Sequence, residues 1–402
     1  MNILFLSISH LPSLEGHSIS IDLIHELVRH GHSVYAVCAQ KREAGLGTEL
    51  SDECGAKVLR VCIGKNKNAN PIVKGITTLR APSLYVSAIK KYFSGVKFDL
   101  VMYPTPPVTQ YKTVRFIKRR DGAKSYLLLK DIFPQNAVDI GMMKKSGLKG
   151  ILYKHFRKTE RRLYSISDKI GCMSRANCEY LLEHNPEIPR EKVEVCPNSV
   201  EFFDMRVTDG VKREMREKYS LPLDKRIFVY GGNLGRPQGI PHLMRCLDRA
   251  GEVDGAHFLI VGDGTEYKKL REFVDSRVGA PITLLSKLPK AEYDALCAAC
   301  DVGLIFLDHR FTIPNFPSRL LAYMQSGLPV ISVTDPNTDV GEVITSAGFG
   351  WSSVSGEAEE FLEKVREAMT ADLDSMGERA VQYLKENYTV RHAYDTIEKS
   401  VM

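Results

Sequence analysis

Tyr230-Gly231-Gly232-Asn233-Leu234-Gly235-Arg236-Pro237-Gln238-Gly239 lies near the middle of a 402-residue chain, overlapping the end of the apolar run Ile227-Phe228-Val229-Tyr230. A helical pattern opens at Pro241. A strand that ends in glycines and turns into a helix has a specific use. Glycine takes positive φ at little cost and lets another backbone approach closely. The helix start behind it offers unpaired N–H groups and a partial positive charge, which suit a phosphate. Such a turn at the midpoint predicts that a second nucleotide-type domain begins there.

Both flanks support this. Ahead of the glycine turn, strands are predicted at 2–8, 33–39, 57–63, 98–103, 125–130 and 168–173, with a last short one at Val193-Glu194-Val195-Cys196. Between the first two, Ile21, Ile24, Leu27 and Val28 mark one face of a helix. Behind the turn, strands are predicted at 226–231, 257–262, 282–286, 302–306 and 329–333, with helices near 241–250, 265–277, 290–299, 318–326 and 357–369. The last stretch, 374–400, is helical and amphipathic with a break near Asn387. Strands alternating with helices predict an α/β chain with parallel, doubly wound sheets. The expected organisation is two Rossmann-like domains facing a cleft, over 1–200 and 201–380, with a C-terminal helix at 381–402 packing back on the first. The charged stretch 201–225 is read as the linker. Ligands in open α/β sheets bind beyond the carboxyl ends of the strands. That rule nominates the loops 9–18, 104–109, 131–139, 231–239 and 308–319.

Composition narrows the class. The chain is 44% hydrophobic, enough for two cores, yet no run approaches the ~18 to 20 apolar residues of a membrane span. The N-terminus, Met1-Asn2-Ile3-Leu4-Phe5-Leu6, reads as a buried strand, not a signal peptide. Nine scattered cysteines fit reduced thiols in a cytosol. The single Cys297-Ala298-Ala299-Cys300 has no second pair and reads as core packing. The formal net charge of +6 is concentrated in the first 200 residues, the remainder being net acidic. A basic front half implies an anionic partner. Its basic stretches lack interleaved stacking aromatics, which argues against nucleic acid.

Several motifs then converge. Phe258-Leu259-Ile260-Val261-Gly262-Asp263-Gly264-Thr265, the hinge-like Val193-Glu194-Val195-Cys196-Pro197-Asn198-Ser199-Val200, and Leu320 to Ile331 follow one another in order. In these the chain resembles retaining family-4 glycosyltransferases of the GT-B fold. Gly232 to Gly239 as Gly-Asn-x-Gly-x-x-Gln-Gly, Pro317-Ser318-Arg319 and Asp131-Ile132-Phe133-Pro134 resemble most closely the bacterial enzymes of O-antigen and capsule assembly. The resemblance implies a UDP-sugar donor and retention of anomeric configuration. It also implies transfer of a hexosyl or N-acetylhexosaminyl group to a lipid-linked (polyprenyl-diphosphate) glycan on the inner face of the cell membrane. It assigns Gly16, Gly232, Asn233, Gln238, Gly262, Asp263 and Ser318 to the donor side.

The residues carry part of this on their own. Arg319 stands at a predicted helix start, where a guanidinium fork and N–H groups would meet a diphosphate. Arg236 lies in the glycine loop. Asp131 follows the strand Tyr126-Leu127-Leu128-Leu129 and could take the proton of an acceptor hydroxyl. Asp131 and Arg319 are therefore the candidate catalytic residues. His10 and His17 bracket the first loop and read as structural. In residues 144–164, Leu148, Ile151, Leu152, Phe156 and Leu163 fall near helical spacing, while Lys149, Lys154, Arg157, Lys158, Arg161 and Arg162 crowd the rest. Such a basic amphipathic helix fits an anionic membrane surface. No Asp-x-Asp follows a strand in a donor position, so no metal or other cofactor is expected.

One departure from the family pattern is sharp. Many family-4 enzymes carry two glutamates eight positions apart, and the aligned positions here are Pro314 and Ala322. Asn315, Asp335 and Asp339 are candidate replacements. The departure keeps alive a non-catalytic partner subunit of another glycosyltransferase. A nucleotide-sugar epimerase of the same fold is the other alternative. An NAD-dependent dehydrogenase fits less well, because the first strand leads into Ser9-His10-Leu11-Pro12 and not Gly-x-Gly-x-x-Gly.

Overall fold

A computed structural model of the chain describes residues 1–8, 10–11, 13–40, 47–64 and 71–402. Ser9, Pro12 and the side chains of Leu148 and Lys149 lie outside the described residues. The chain divides into two units, Met1–Glu201 with Thr389–Met402, and Phe202–Tyr388.

Among the described residues the first unit holds β1 (Asn2–Leu6), β2 (Ser33–Gln40), β3 (Glu49–Glu53), β4 (Ala56–Cys62), β5 (Leu100–Thr105), β6 (Lys124–Leu129), β7 (Lys169–Cys172) and β8 (Val193–Val195). Their order in the sheet is β3-β4-β2-β1-β5-β6-β7-β8. All neighbours are parallel except β3, which pairs antiparallel with β4 at the edge. The sequence reading missed β3. Its polar Glu49-Leu50-Ser51-Asp52-Glu53 lacks the apolar run used to find strands, and it forms by pairing along β4. Helix Ile19–Arg29 starts where the Ser18 side chain accepts from the Ile21 N–H. It buries Ile24 and Leu27 against Ile3, Phe5, Val34 and Met102. The final helix, Val390–Val401, adds Val390, Tyr394, Ile397 and Val401 to the same core.

The second unit holds β9 (Arg226–Asn233), β10 (Ala256–Asp263), β11 (Ile282–Ser286), β12 (Val302–Phe306), β13 (Val330–Thr334) and β14 (Gly350–Val354), all parallel, in the order β11-β10-β9-β12-β13-β14. This is the 3-2-1-4-5-6 order of a doubly wound sheet, and its order reverses between β9 and β12. The sequence reading missed β14, whose Gly-Trp-Ser-Ser-Val is too polar to announce itself. Phe228, Phe258, Leu304, Phe306 and Ile331 from the strands pack with Leu243, Leu247 and Phe361 from the helices.

The second boundary falls at 388/389, not 380/381. Helix Leu373–Asn387 buries Ala380, Val381 and Leu384 within the second unit. A Cβ at Gly377 would lie 2.1 Å from the Gly327 carbonyl oxygen, so that helix seats directly on the turn behind helix Arg319–Gln325. The predicted C-terminal segment is therefore no separate piece: its first residues belong to the second unit, its last helix to the first.

Candidate functional site

The glycine turn is built by close approach. A Cβ at Gly231 would lie 1.7 Å from the Tyr293 hydroxyl, and one at Gly262 would lie 1.9 Å from the Gly232 carbonyl oxygen. Gly232 and Gly239 hold φ of +119° and +57°, which other residues rarely adopt. These glycines bring the carboxyl ends of β9 and β10 together around a cavity of about 510 Å³. Gly232, Asn233, Gly262 and Asp263, all expected on the donor side, line it. Lys287, Lys290 and Tyr293 line it too. These three were not foreseen, although Lys287 directly follows β11 and the carboxyl-end rule would have found it.

Arg319 stands across the switch point from the glycine turn. Its Nη2 donates to Gln238 Oε1 at 2.5 Å, and its guanidinium carbon sits 4.3 Å from the centre of the Tyr230 ring. The Tyr230 hydroxyl donates to the same Gln238 oxygen at 3.2 Å. The loops behind β9 and β12 are also joined by the Asp308 N–H, which donates to the Pro237 carbonyl at 3.0 Å. Arg319 Nη1 is buried without a hydrogen-bond partner among the described residues. A Cβ at Gly232 would lie 3.8 Å from Nη2, so the guanidinium borders the glycine turn.

Two other donor-side expectations are placed differently. Arg236 is 58% exposed and faces Glu266 at 3.8 Å. Ser318 is exposed and makes no side-chain cap bond to the helix it precedes.

In the first unit, Asp131 lies just beyond β6. Its Oδ2 accepts from Asn136 Nδ2 at 2.5 Å, and its Oδ1 is buried and unpaired. Burial pushes its carboxyl up to about 6. Gly16 is exposed with nothing within 4 Å of a Cβ built on it, and its φ is not in the positive range, so a side chain would fit there. His10 Nδ1 lies 3.0 Å from the Ala39 carbonyl oxygen and His17 Nδ1 lies 3.0 Å from Asp22 Oδ1, both structural contacts.

Helix Gly147–Ile166 and helix Tyr111–Asp121 flank a groove of about 910 Å³. Lys154, Arg157, Lys158, Arg161 and Arg162 line one side, and Arg115, Lys118 and Arg119 the other. The second set was not foreseen; the Lys118-Arg119-Arg120 run was there to find. Ile151 and Leu152 are 66% and 48% exposed. Arg157 is committed within the unit, to Glu160 at 2.6 Å and to the His184 carbonyl and Asn185 Oδ1 at 2.9 and 2.7 Å.

All nine cysteines are free thiols, with Cys297 and Cys300 both buried. Among the described residues no helix is long and apolar enough to cross a membrane, and no three His, Cys, Asp or Glu side chains cluster as metal ligands.

Comparison with known proteins agrees with this fold. The family described as "Glycosyl transferases group 1" matches residues 211–387. A Pseudomonas aeruginosa protein named "Probable glycosyltransferase WbjE" is 27% identical over 78% of this chain and 76% of its own. An Escherichia coli K12 protein named "Putative colanic acid biosynthesis glycosyl transferase WcaI" is 24% identical over 61% of this chain and 60% of its own. The structure of Anabaena HepE in complex with UDP and glucose superposes with a TM-score of 0.67 at 14% identity, covering 100% of this chain and 99% of that one. Residues 211–387, within the second unit, thus match the glycosyl transferases group 1 family, in a chain with the two-domain α/β GT-B fold and similarity to bacterial glycosyltransferases.

Proposed function

We propose that this chain transfers a sugar, with retention, from a UDP-sugar to a lipid-linked glycan in bacterial surface polysaccharide assembly. The observation that carries the donor side is the buried Arg319 guanidinium, held by Gln238 across the switch point, with Nη1 unpaired among the described residues and Nη2 bordering Gly232 of the glycine-lined cavity. A cation fixed in this way meets the negative charge that develops as a nucleoside diphosphate departs. On this reading Asn233, Gly262, Asp263, Lys287 and Lys290 surround the nucleotide, and the diphosphate needs no metal ion. HepE, with its UDP and glucose, supplies the analogy for the nucleotide.

Asp131 takes the acceptor side. A carboxyl near 6 is mostly ionised at neutral pH and basic enough to accept a hydroxyl proton. The groove between helices Tyr111–Asp121 and Gly147–Ile166 lies against an anionic membrane surface, with Ile151 and Leu152 entering its interface. The reading of the chain as a non-catalytic partner rests on Pro314 and Ala322. A thermal-shift panel of UDP, GDP, UDP-GlcNAc, UDP-GalNAc, UDP-Glc and GDP-mannose decides between them. UDP and at least one UDP-sugar should raise the melting temperature by mass action. No shift with any nucleotide would favour the partner subunit.

A further inference from the structure

We infer that Asn315 and Asp335 read the hydroxyl groups of the donor sugar. This rests on the reading of the second unit as a nucleotide-sugar site and adds the residues that recognise the sugar.

The two residues belong to loops behind neighbouring strands. Asn315 lies in the loop after β12, ahead of Arg319, and Asp335 directly follows β13. Two hydrogen bonds lace these loops together: Asn337 Nδ2 donates to the Phe311 carbonyl at 2.6 Å, and Thr338 Oγ1 donates to the Asn315 carbonyl at 2.5 Å. The Leu307 N–H also donates to the Val333 carbonyl at 2.9 Å, so the register holds up to the loops. These segments form one cluster at the carboxyl end of the sheet, on the side where Arg319 begins its helix.

This cluster holds three polar groups with nothing to bond. Among the described residues, Arg319 Nη1, Asn315 Nδ2 and Asp335 Oδ2 are each buried and unpaired. Asp335 is 2% exposed, and its other oxygen accepts from the Asn337 N–H at 2.9 Å, closing the turn. Roughly 90% or more of buried polar groups in folded proteins are paired, so three orphans in one loop cluster point to a missing partner. Their chemistry divides the labour. A guanidinium suits a phosphate. A neutral amide donor and a carboxylate acceptor suit groups that both accept and donate, which hydroxyls do. The flanking positions Pro314 and Ala322 have no hydrogen-bonding side chain. The orphaned amide and carboxylate therefore offer side-chain recognition of a sugar between them.

The test is calorimetric titration of the full chain with UDP, UDP-Glc, UDP-Gal, UDP-GlcNAc and UDP-GalNAc. Wild type, Asn315→Ala and Asp335→Asn are compared. Asp335→Asn keeps a carbonyl for the Asn337 N–H, and the Asn315 side-chain amide nitrogen has no partner to lose, so melting temperatures should stay close to wild type. At least one UDP-sugar should bind wild type more tightly than UDP. Each substitution should cut that UDP-sugar's affinity by about tenfold, as for the loss of a hydrogen bond, and leave UDP within about twofold. Variants that keep the full preference, variants that lose UDP and UDP-sugar equally, or a wild type with no preference would each overturn the assignment. Failure of wild type to bind UDP at all would instead strike the nucleotide site itself, and this inference with it.

Discussion

Arg319 Nη2 donates to Gln238 Oε1 at 2.5 Å, tying the helix that follows β12 to the loop that follows β9. Gln238 fixes the guanidinium, and Tyr230 adds a stacking face. Arg319→Ala should weaken UDP binding by roughly 10- to 100-fold, the range of a charge-assisted hydrogen bond of about 1.5–3 kcal/mol. Arg319→Lys should recover only part of it, because an ammonium cannot keep the bond to Gln238 and present a planar fork together. Titration with UDP checks both, and unchanged affinity in the alanine variant would remove Arg319 from the site.

The glycines separate folding from function. Gly262→Ala places a methyl where the Gly232 carbonyl oxygen already stands, so it should destabilise the chain by about 1–3 kcal/mol, the usual cost of overpacking. Gly16→Ala meets nothing within 4 Å and should leave the melting temperature unchanged. If Gly16 lies against substrate, the same variant should still lose activity. A Gly16→Ala variant with both normal stability and normal turnover would show that no ligand approaches there.

What was legible in the sequence followed from chemistry that repeats at fixed spacing. The buried parallel strands declared themselves as apolar runs, and the glycine turn declared the second unit. The edge strand β3 did not, because Glu49 to Glu53 form a strand only by pairing with β4. The cavity was half legible: Gly232, Asn233, Gly262 and Asp263 sit in motifs and Lys287 directly follows a predicted strand, whereas Lys290 and Tyr293 converge on it only once β11 is laid beside β10. Arg157 shows the reverse error. Its place in a basic helix suggested a surface role, but the buried Glu160 one turn away claims it.

Asp131 gives a prediction in pH. Its carboxyl is raised from an ordinary 3.8 to about 6 by burial. Between these values the folded chain holds a proton that the unfolded chain has lost. The stability this group contributes is therefore full below about 4 and lost as pH rises through about 6. Asp131→Asn cannot ionise and keeps an acceptor for Asn136. It should gain about 2–3 kcal/mol over wild type at pH 7 relative to pH 4, at roughly 1.4 kcal/mol per pKa unit. Transfer should fall by about 10²-fold or more, as for loss of a general base. Denaturation at the two pH values and acceptor turnover check the two halves. An equal stability difference at both pH values would mean that burial does not raise the Asp131 carboxyl above its ordinary value.

The basic groove makes the last prediction, and Arg157 sharpens it. Lys154, Lys158, Arg115 and Arg119 line the groove, and among the described residues none of them forms an ion pair. Replacing these four by Gln should weaken binding to phosphatidylglycerol-containing vesicles by about 1 kcal/mol per charge, with little effect on stability. Arg157→Ala should behave oppositely. It leaves the Glu160 carboxylate buried without its cation, which costs about 3 kcal/mol or more. Its membrane affinity should change no more than for one surface charge. Ile151→Ser and Leu152→Ser should reduce vesicle binding without loss of stability, since both side chains already face solvent. Vesicle sedimentation and thermal denaturation on the same samples separate these effects. If the fourfold Gln variant sediments as wild type does, the groove is not the membrane face.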